Sequence, residues 1–279
     1  MSVKSVGIPF VKASACGNDF LLIDISRAEP VLASSDIAAF TQRICDRHDG
    51  VGADGVEWMS AHAEADVEIR LINADGSEAE ISGNGTRCVA AYLYSERDSV
   101  LDSEREQEKI TIQTGAGLKT CVRTGGKSPE YEFEIEMGRG EIGPELAVRT
   151  DGREVRGIPV SMGNPHYVIF VQSFAEGWQS RAAEIQRNSE FRHGVNIEMV
   201  AIDGKHDVRS RFFERGVGET QSSGTGSCAS ALAAIAAGKA ESPVRVHAPG
   251  GTQTVRKEGN TVFLRGTARL VCEGEFFVG

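Results

Sequence analysis

The chain has 279 residues, 40% of them hydrophobic, which is enough for one large or two ordinary domains with a substantial core. Its formal net charge of −10 argues against nucleic acid as a partner. No apolar run approaches the roughly 20 residues needed to cross a membrane, and the first residues lack the apolar core of a signal peptide.

The cysteines and histidines carry no recognisable site. Six cysteines are scattered without a C-x-x-C pair, which is typical of free thiols in a reducing cytoplasm. Six histidines show no metal-ligand spacing, so we expect no metal centre.

The first half begins with strand and helix signals. Residues 20–25 are apolar and predict a buried strand after a polar turn at 16–19. Residues 34–36 are suited to cap a helix that places Ile37, Phe40 and Ile44 on one face. A further strand at 67–72 leads into a polar, glycine-containing segment.

A repeated stretch organises the chain. Residues 82–86 read Ser-Gly-Asn-Gly-Thr, and residues 223–227 read Ser-Gly-Thr-Gly-Ser. Each copy follows a glutamate four residues earlier, Glu78 or Glu219, and the copies are 141 residues apart. A period this long predicts two related halves, because solenoid repeats run about 20–50 residues.

Both copies predict a glycine loop that opens a helix. The second helix is apolar nearly all round and should be buried on every side, ending near Gly238. A helix N-terminus with closely approachable glycine backbone is an anion site. We therefore expect Ser82 and Ser223 at two helix mouths that face each other across a cleft.

Two other interpretations apply to the loops. Residues 224–229 match the loose Gly-x-Gly-x-x-Gly/Ala dinucleotide pattern, but no apolar strand leads directly into them. The loops are also compatible with ordinary glycine turns before core helices. Duplication of the whole pattern, including the leading glutamate, favours a functional role.

The remaining segments predict the architecture. Residues 110–113, 118–122 and 131–137 alternate with period two, as strands do, and residues 163–166 precede the apolar strand 167–171 much as 17–20 open theirs. A glycine- and proline-containing break at 125–129 separates domains 1–124 and 125–266, with the tail 267–279 packing on the first. We predict an α+β fold of two pseudo-symmetric domains, each a curled, mostly antiparallel sheet around a central buried helix.

Taken together, the motifs resemble the diaminopimelate epimerase family over essentially the whole chain. They are Gly-Asn-Asp-Phe at 17–20, Asn-Ala-Asp-Gly-Ser-Glu at 73–78, Gly-Asn-Gly-Thr-Arg-Cys at 83–88, Gly-Asn-Pro-His at 163–166, Glu-Arg-Gly at 214–216 and Gly-Thr-Gly at 224–226. The resemblance implies a cytoplasmic, cofactor-free and usually homodimeric epimerase. Such an enzyme takes a small amino acid, converting LL- into meso-diaminopimelate for lysine and peptidoglycan synthesis.

The resemblance also implies roles for individual residues. The distal amino acid end of the substrate would be held by Asn18, Asn73, Asn164, Asn196, Glu214 and Arg215. The reacting carboxylate would be received by Gly83, Asn84, Gly224 and Thr225. His166 and Glu214 would lie beside the reacting centre. Taken alone, each asparagine is more typical of a turn. Their joint match to the family favours the binding role.

One departure bears directly on the chemistry. The family has cysteine at both proton-transfer positions, and this chain has Ser82 and Ser223. A serine hydroxyl is a far weaker acid than a thiol and ordinarily needs a neighbouring base. Cys88 and Cys228 lie beyond the reacting positions and do not replace the lost thiols.

Three explanations for the serine pair follow. The chain is an engineered double Cys→Ser form with little turnover; or a natural epimerase whose serines are activated by His166, Glu78, Glu214 or Glu219; or a relative with different chemistry, such as dehydration or racemisation of another amino acid. Two smaller departures are Gly55, where some members carry a substrate-facing Gln, and Cys272, where many carry an aromatic residue. The second weakens the inference of a family-like dimer.

Overall fold

The computed structural model describes residues 6–29, 32, 37–98 and 109–278. It divides into an N-terminal unit, Met1–Ile135 with Thr267–Gly279, and a C-terminal unit, Glu136–Gly266. The division follows Ile135, whereas the boundary expected from sequence, 124/125, falls one strand earlier. Residues 34–36, expected to cap a helix, lie outside the described residues.

The N-terminal unit contains eight strands and three helices within its described parts, plus the end of a long last strand. In chain order they are β1 (Val6–Ala15), β2 (Asn18–Asp24), α1 (Ile25–Ala28), α2 (Ile37–Cys45), β3 (Gly55–Ser60), β4 (Val67–Asn73), β5 (Glu78–Ala79), α3 (Gly83–Asp98), β6 (Lys109–Thr114), β7 (Gly117–Lys127) and β8 (Glu130–Arg139).

The C-terminal unit follows with the elements β9 (Glu141–Ile142), β10 (Leu146–Thr150), β11 (Arg153–Ser161), β12 (Pro165–Phe170), α4 (Trp178–Gln186), β13 (Asn196–Gly204), β14 (Asp207–Glu214), β15 (Gly218–Thr220), α5 (Gly224–Ala236), β16 (Val244–Ala248), β17 (Gly251–Glu258) and β18 (Thr261–Val278). The end of β18 pairs antiparallel with β1 in the N-terminal unit.

Strand pairing in the two units follows one plan. In the N-terminal unit β2 and β3 are parallel, β3–β4 and β4–β5 antiparallel, β4 and β6 parallel, and β6–β7 antiparallel. The C-terminal unit repeats this sequence of pairings with β12 to β17. The repeated serine loop therefore occupies the same place in both units, between a short strand and the following helix.

Each of these helices lies in the core of its unit. Nine residues of α5 are buried, from Gly226 to Ala234, and the helix packs against an apolar cluster that includes Val168, Phe212 and Leu264. In α3 the residues from Asn84 to Ala91 are buried. Small side chains allow the strands to approach the helices closely. The α+β fold with one central helix per unit, expected from the sequence, is confirmed.

The three residues expected on one face of α2 point to a core of the N-terminal unit. Phe40 and Ile44 are buried in it beside Trp58, and Ile37 packs against its edge. Within the described parts of the chain, no helix is both long and apolar enough to span a membrane.

Candidate active site

In the first serine loop, Ser82 caps the N-terminus of α3. The Ser82 Oγ accepts a hydrogen bond from the Gly85 amide at 3.1 Å, and the Ser82 carbonyl accepts from the Thr86 amide at 2.8 Å. This is the geometry of a serine N-cap, which satisfies amides that have no partner inside the helix. The expected placement of Ser82 at the mouth of a helix is what the structure shows.

Two of the expected asparagines lie beside this loop. Asn84 Nδ2 donates to Asn18 Oδ1 at 2.7 Å, and Asn18 Nδ2 donates to Asp54 Oδ2 at 3.0 Å. The buried Arg87, one turn further along α3, donates to Asn84 Oδ1. Both amides are thus held in one fixed arrangement by hydrogen bonds.

A carboxyl group that the sequence analysis missed lies beneath the same loop. Glu57, on β3, is fully buried. A Cβ added to Gly85 would lie 1.9 Å from Glu57 Oε1 and 3.3 Å from the Ser82 Cβ. Burial raises the pKa of Glu57 to about 8. The second glycine of the loop is therefore required so that this carboxyl can approach the helix.

The second serine loop has the same cap. Ser223 Oγ accepts from the Gly226 amide at 3.1 Å, and Ser223 itself is in an extended conformation that starts α5. The Ser223 hydroxyl also bonds to the Glu214 side chain. Burial raises the pKa of Glu214, and this hydrogen bond lowers it in part. Glu214 is therefore placed to exchange a proton with Ser223.

A chain of polar contacts runs from the sheet to the second loop. His166 Nδ1 lies 2.7 Å from Glu198 Oε1, and His166 Nε2 lies 3.0 Å from Asn164 Oδ1. Asn164 Nδ2 donates in turn to Thr225 Oγ1 at 3.3 Å. These contacts bring together three of the expected residues: His166, Asn164 and Thr225.

The buried His166–Glu198 pair holds one shared proton. With Asn164 Oδ1 as its acceptor, His166 Nε2 carries a hydrogen. The contact between Nδ1 and Glu198 then contains one more proton, on the imidazole or on the carboxyl. Burial raises the pKa of Glu198, and the charge of His166 lowers it in part. Either placement of the proton leaves the pair neutral, which suits its burial.

Three further expected residues are held by contacts within their own units. Asn73 pairs with Gly55 across β3 and β4 and donates to Ser77 Oγ at 3.0 Å. Asn196 Oδ1 accepts from the Arg215 amide at 2.9 Å, which fixes the end of β14. Arg215 is exposed, and its guanidinium donates to the His193 carbonyl at 2.6 Å.

Two of the four activating groups weighed from the sequence do not reach the serines. Glu78 is exposed and forms an ion pair with Arg70 at 2.6 Å. Glu219 is also exposed, and its carboxylate accepts from Gln179 at 2.9 Å. The repeated glutamate therefore marks the strand before each loop and supplies no base. Glu214 does reach its serine, and the charge of His166 lowers the pKa of Glu214 in part.

The signal for the missed carboxyls was present in the sequence. Glu57 and Glu198 are 141 residues apart, the spacing of the serine loops, and each is the third residue of its strand with an apolar residue on either side. A Cβ on Gly226 would lie 3.0 Å from both Glu198 Oε1 and the Ser223 Cβ. The two loops thus share one construction: serine, second glycine, buried carboxyl.

Comparisons with known proteins indicate one family over most of the chain. The family model described as diaminopimelate epimerase matches residues 10–141 and 158–271. A diaminopimelate epimerase from Pelotomaculum thermopropionicum is 37% identical over 283 residues, covering 96% of this chain and 98% of that protein. One from Elusimicrobium minutum is 34% identical, with 96% and 98% covered.

Solved structures share the fold at low sequence identity. A hydroxyproline epimerase from Agrobacterium vitis superposes with a TM-score of 0.69 at 14% identity, covering 97% of this chain and 91% of that one. A Bacillus anthracis phenazine biosynthesis protein of the PhzF family gives a TM-score of 0.69 at 17% identity, with 98% and 99% covered. At these identities the likeness establishes the fold alone.

Proposed function

The chain belongs to the diaminopimelate epimerase family, and from that premise we propose that it interconverts LL- and meso-diaminopimelate with two serines as its proton-transfer groups. The observation that carries the proposal is the repeated construction of the loops. Each unit places one serine hydroxyl at the start of a buried helix and one buried carboxyl beneath the adjoining glycine. The reaction would serve lysine and peptidoglycan synthesis.

The helix mouths suit the reacting carboxylate. The first turn of an α-helix leaves amides without an intrahelical acceptor, and its dipole favours negative charge. Gly83 and Asn84 begin α3, while Gly224 and Thr225 begin α5. Removal of an α-proton moves charge onto the carboxylate oxygens, so donors aimed at them stabilise the carbanion more than the substrate.

The serines supply proton transfer at the α-carbon. Inversion requires one group to remove the proton from one face and the other to return a proton on the opposite face. Ser223 exchanges its hydroxyl proton with Glu214, whose raised pKa brings it nearer to neutral pH. A carboxyl partner is the activation that a weakly acidic hydroxyl needs.

The test is α-proton exchange in deuterated water. Both epimers are incubated with the wild-type chain, and deuterium at the α-carbon and epimer composition are followed by NMR. We expect exchange by wild type, a loss of at least about 100-fold in Ser82→Ala and in Ser223→Ala, and faster exchange in Ser82→Cys/Ser223→Cys. Ser95→Ala is the matched control, because Ser95 lies on α3 and bonds to the Tyr92 carbonyl.

The outcomes separate the alternatives. If the double-cysteine variant neither exchanges nor epimerises diaminopimelate, the substrate assignment fails. Release of a keto acid from 3-hydroxy amino acids would instead assign the serine chain to dehydration.

We also propose that the enzyme is a cytoplasmic homodimer. The family resemblance supports both, and the six cysteines, all without a disulfide, suit a reducing compartment. Sedimentation velocity distinguishes a 29.9 kDa monomer from a dimer. A monomer with full exchange activity would contradict the dimer and leave the reaction unaffected.

A further inference from the structure

We propose that Glu57 takes up and returns the hydroxyl proton of Ser82 during epimerisation. The inference rests on the proposed function, because it gives a role to a group within the same site. Glu57 acts through Ser82 and touches no substrate, so it is a positioning residue that also holds a proton.

The geometry places the carboxyl against the serine loop. Glu57 Oε1 and the Ser82 Cβ both lie within 3.3 Å of the point that a Cβ on Gly85 would occupy. Neither oxygen of Glu57 has a hydrogen-bond partner among the residues that the structure describes. A buried carboxyl without a hydrogen-bond partner destabilises the folded protein. We expect evolution to remove such a carboxyl unless it has a function.

The C-terminal unit shows why this carboxyl is unusual. Phe20 on β2 pairs with Gly55, and His166 on β12 pairs with Asn196, so the two residues occupy matching positions. Glu198 therefore has an imidazole to share its proton, whereas the N-terminal unit has a phenylalanine at the matching position. An apolar neighbour cannot accept or donate a proton, and the Ser82 loop is the polar surface that Glu57 meets.

Within the described parts of the chain, few other ionisable groups face Glu57. Its strand neighbours on β2 and β4 are Leu22 and Leu71. On α3, burial raises the pKa of the Cys88 thiol far above its usual range, so that it stays protonated. Arg87 of the same helix directs its guanidinium to Asn84 and to Cys16 Sγ. None of these groups competes with Ser82 for the Glu57 proton at neutral pH.

The step is balanced in protons and electrons. In one direction Ser82 Oγ takes the substrate α-proton, the Cα–H electron pair stays on carbon, and the original hydroxyl proton passes to the Glu57 carboxylate. In the other direction the Glu57 acid returns a proton to Ser82 Oγ, and the serine proton goes to carbon. The step requires the half-buried Ser82 side chain to rotate, so that its hydroxyl turns from the Gly85 amide towards Glu57.

The protonation of Glu57 gives the step a pH signature. Its pKa of about 8, a consequence of burial, keeps the acid protonated at neutral pH. Forward and reverse reactions use enzyme forms with the same number of protons, so both kcat/KM values fall together as pH rises through about 8. Removing the carboxyl should remove that limb.

The experiment compares Glu57→Gln in two backgrounds. In the wild-type background we expect kcat for diaminopimelate epimerisation to fall about 100-fold. In the Ser82→Cys background, where a thiol ionises without help, we expect Glu57→Gln to cost less than about threefold. Glu57→Leu is measured in parallel because an apolar residue suits the buried position. Glu68→Gln, an exposed glutamate on β4, is the control and should leave activity unchanged.

The outcomes distinguish a role of Glu57 in proton transfer from a structural role. Equal losses in the serine and cysteine backgrounds would show a merely structural role and overturn the inference, as would an alkaline limb that persists in Glu57→Gln. Wild-type chain that neither exchanges nor epimerises diaminopimelate would overturn the proposed function and this role with it.

Discussion

Replacing Glu57 by Gln should stabilise the N-terminal unit increasingly as pH rises. The pKa of Glu57 is raised from 4.5 to about 8 by burial. Below 4.5 the folded and unfolded states both hold the proton. Between the two values only the folded state holds it, so stability falls with rising pH, and above about 8 the loss is complete.

The magnitude follows from the length of this pH window. Each unit of pKa difference corresponds to about 1.36 kcal/mol. Relative to Glu57→Gln, the wild-type unit should therefore lose about 4 kcal/mol of unfolding free energy between pH 5 and pH 8. Gln has nearly the same shape and does not titrate, so the other ionisable groups cancel in the comparison.

The chain contains a convenient reporter. Its two tryptophans, Trp58 and Trp178, lie one in each unit, and Trp58 is the neighbour of Glu57 on β3. In a Trp178→Phe background, urea unfolding followed by fluorescence reports the N-terminal unit alone, which matters because two units need not unfold together. The measurement is repeated at about pH 5, 6.5 and 8, with Glu68→Gln as the surface control.

A difference between wild type and Glu57→Gln that stays constant with pH would show that burial does not raise the pKa of Glu57. Glu57 would then titrate normally, and its carboxyl would be ionised at neutral pH. Such a group could not return a proton to Ser82.

Three further predictions test the construction of the two loops. Gly85→Ala should lower the unfolding free energy by about 2 kcal/mol, because its Cβ would lie 1.9 Å from Glu57 Oε1. In a Glu57→Ala background, unfolding followed by Trp58 fluorescence should show a smaller loss. An undiminished loss would contradict the contact. His166→Phe removes the partner of Glu198 and should lower the unfolding free energy of the C-terminal unit by about 3 kcal/mol near pH 8. Unfolding followed by Trp178 fluorescence should show a smaller loss at low pH. A loss independent of pH would argue against the shared proton. Thr41→Val leaves the buried Trp58 Nε1 without its acceptor at 3.1 Å and should cost about 1–3 kcal/mol in urea unfolding, whereas Thr41→Ser should preserve most of the stability.

The fold could be predicted because its signal is local and repeated. The serine loops at 82–86 and 223–227 share a spacing that fixes two equivalent halves, and the apolar helix after Ser223 leaves burial as its stable outcome. The placement of both serines at helix N-termini follows from the same pattern, since Ser before Gly-x-Gly is a helix start.

The carboxyls beneath the loops repeat the same 141-residue spacing, but their burial could not be predicted from it. A glutamate within a strand ordinarily points to solvent, and Glu57 and Glu198 are buried only because a helix covers that face of the sheet. Glu78 and Glu219 were candidates for activating the serines, and they do not reach them for the opposite reason. They stand at the repeated position, yet their side chains lie on the exposed side of their short strands. Burial depends on packing between distant segments, which spacing along the chain does not encode.

The two units bury the same carboxyl with different proton arrangements. In the C-terminal unit His166 and Glu198 share a proton, and the pair is neutral whichever atom holds it. In the N-terminal unit Phe20 offers no such partner, so Glu57 is neutral only as the acid. Acid and base roles can be assigned where different environments give two groups different pKa values. At neutral pH Ser82 is therefore backed by a proton donor, whereas Ser223 is hydrogen-bonded to Glu214.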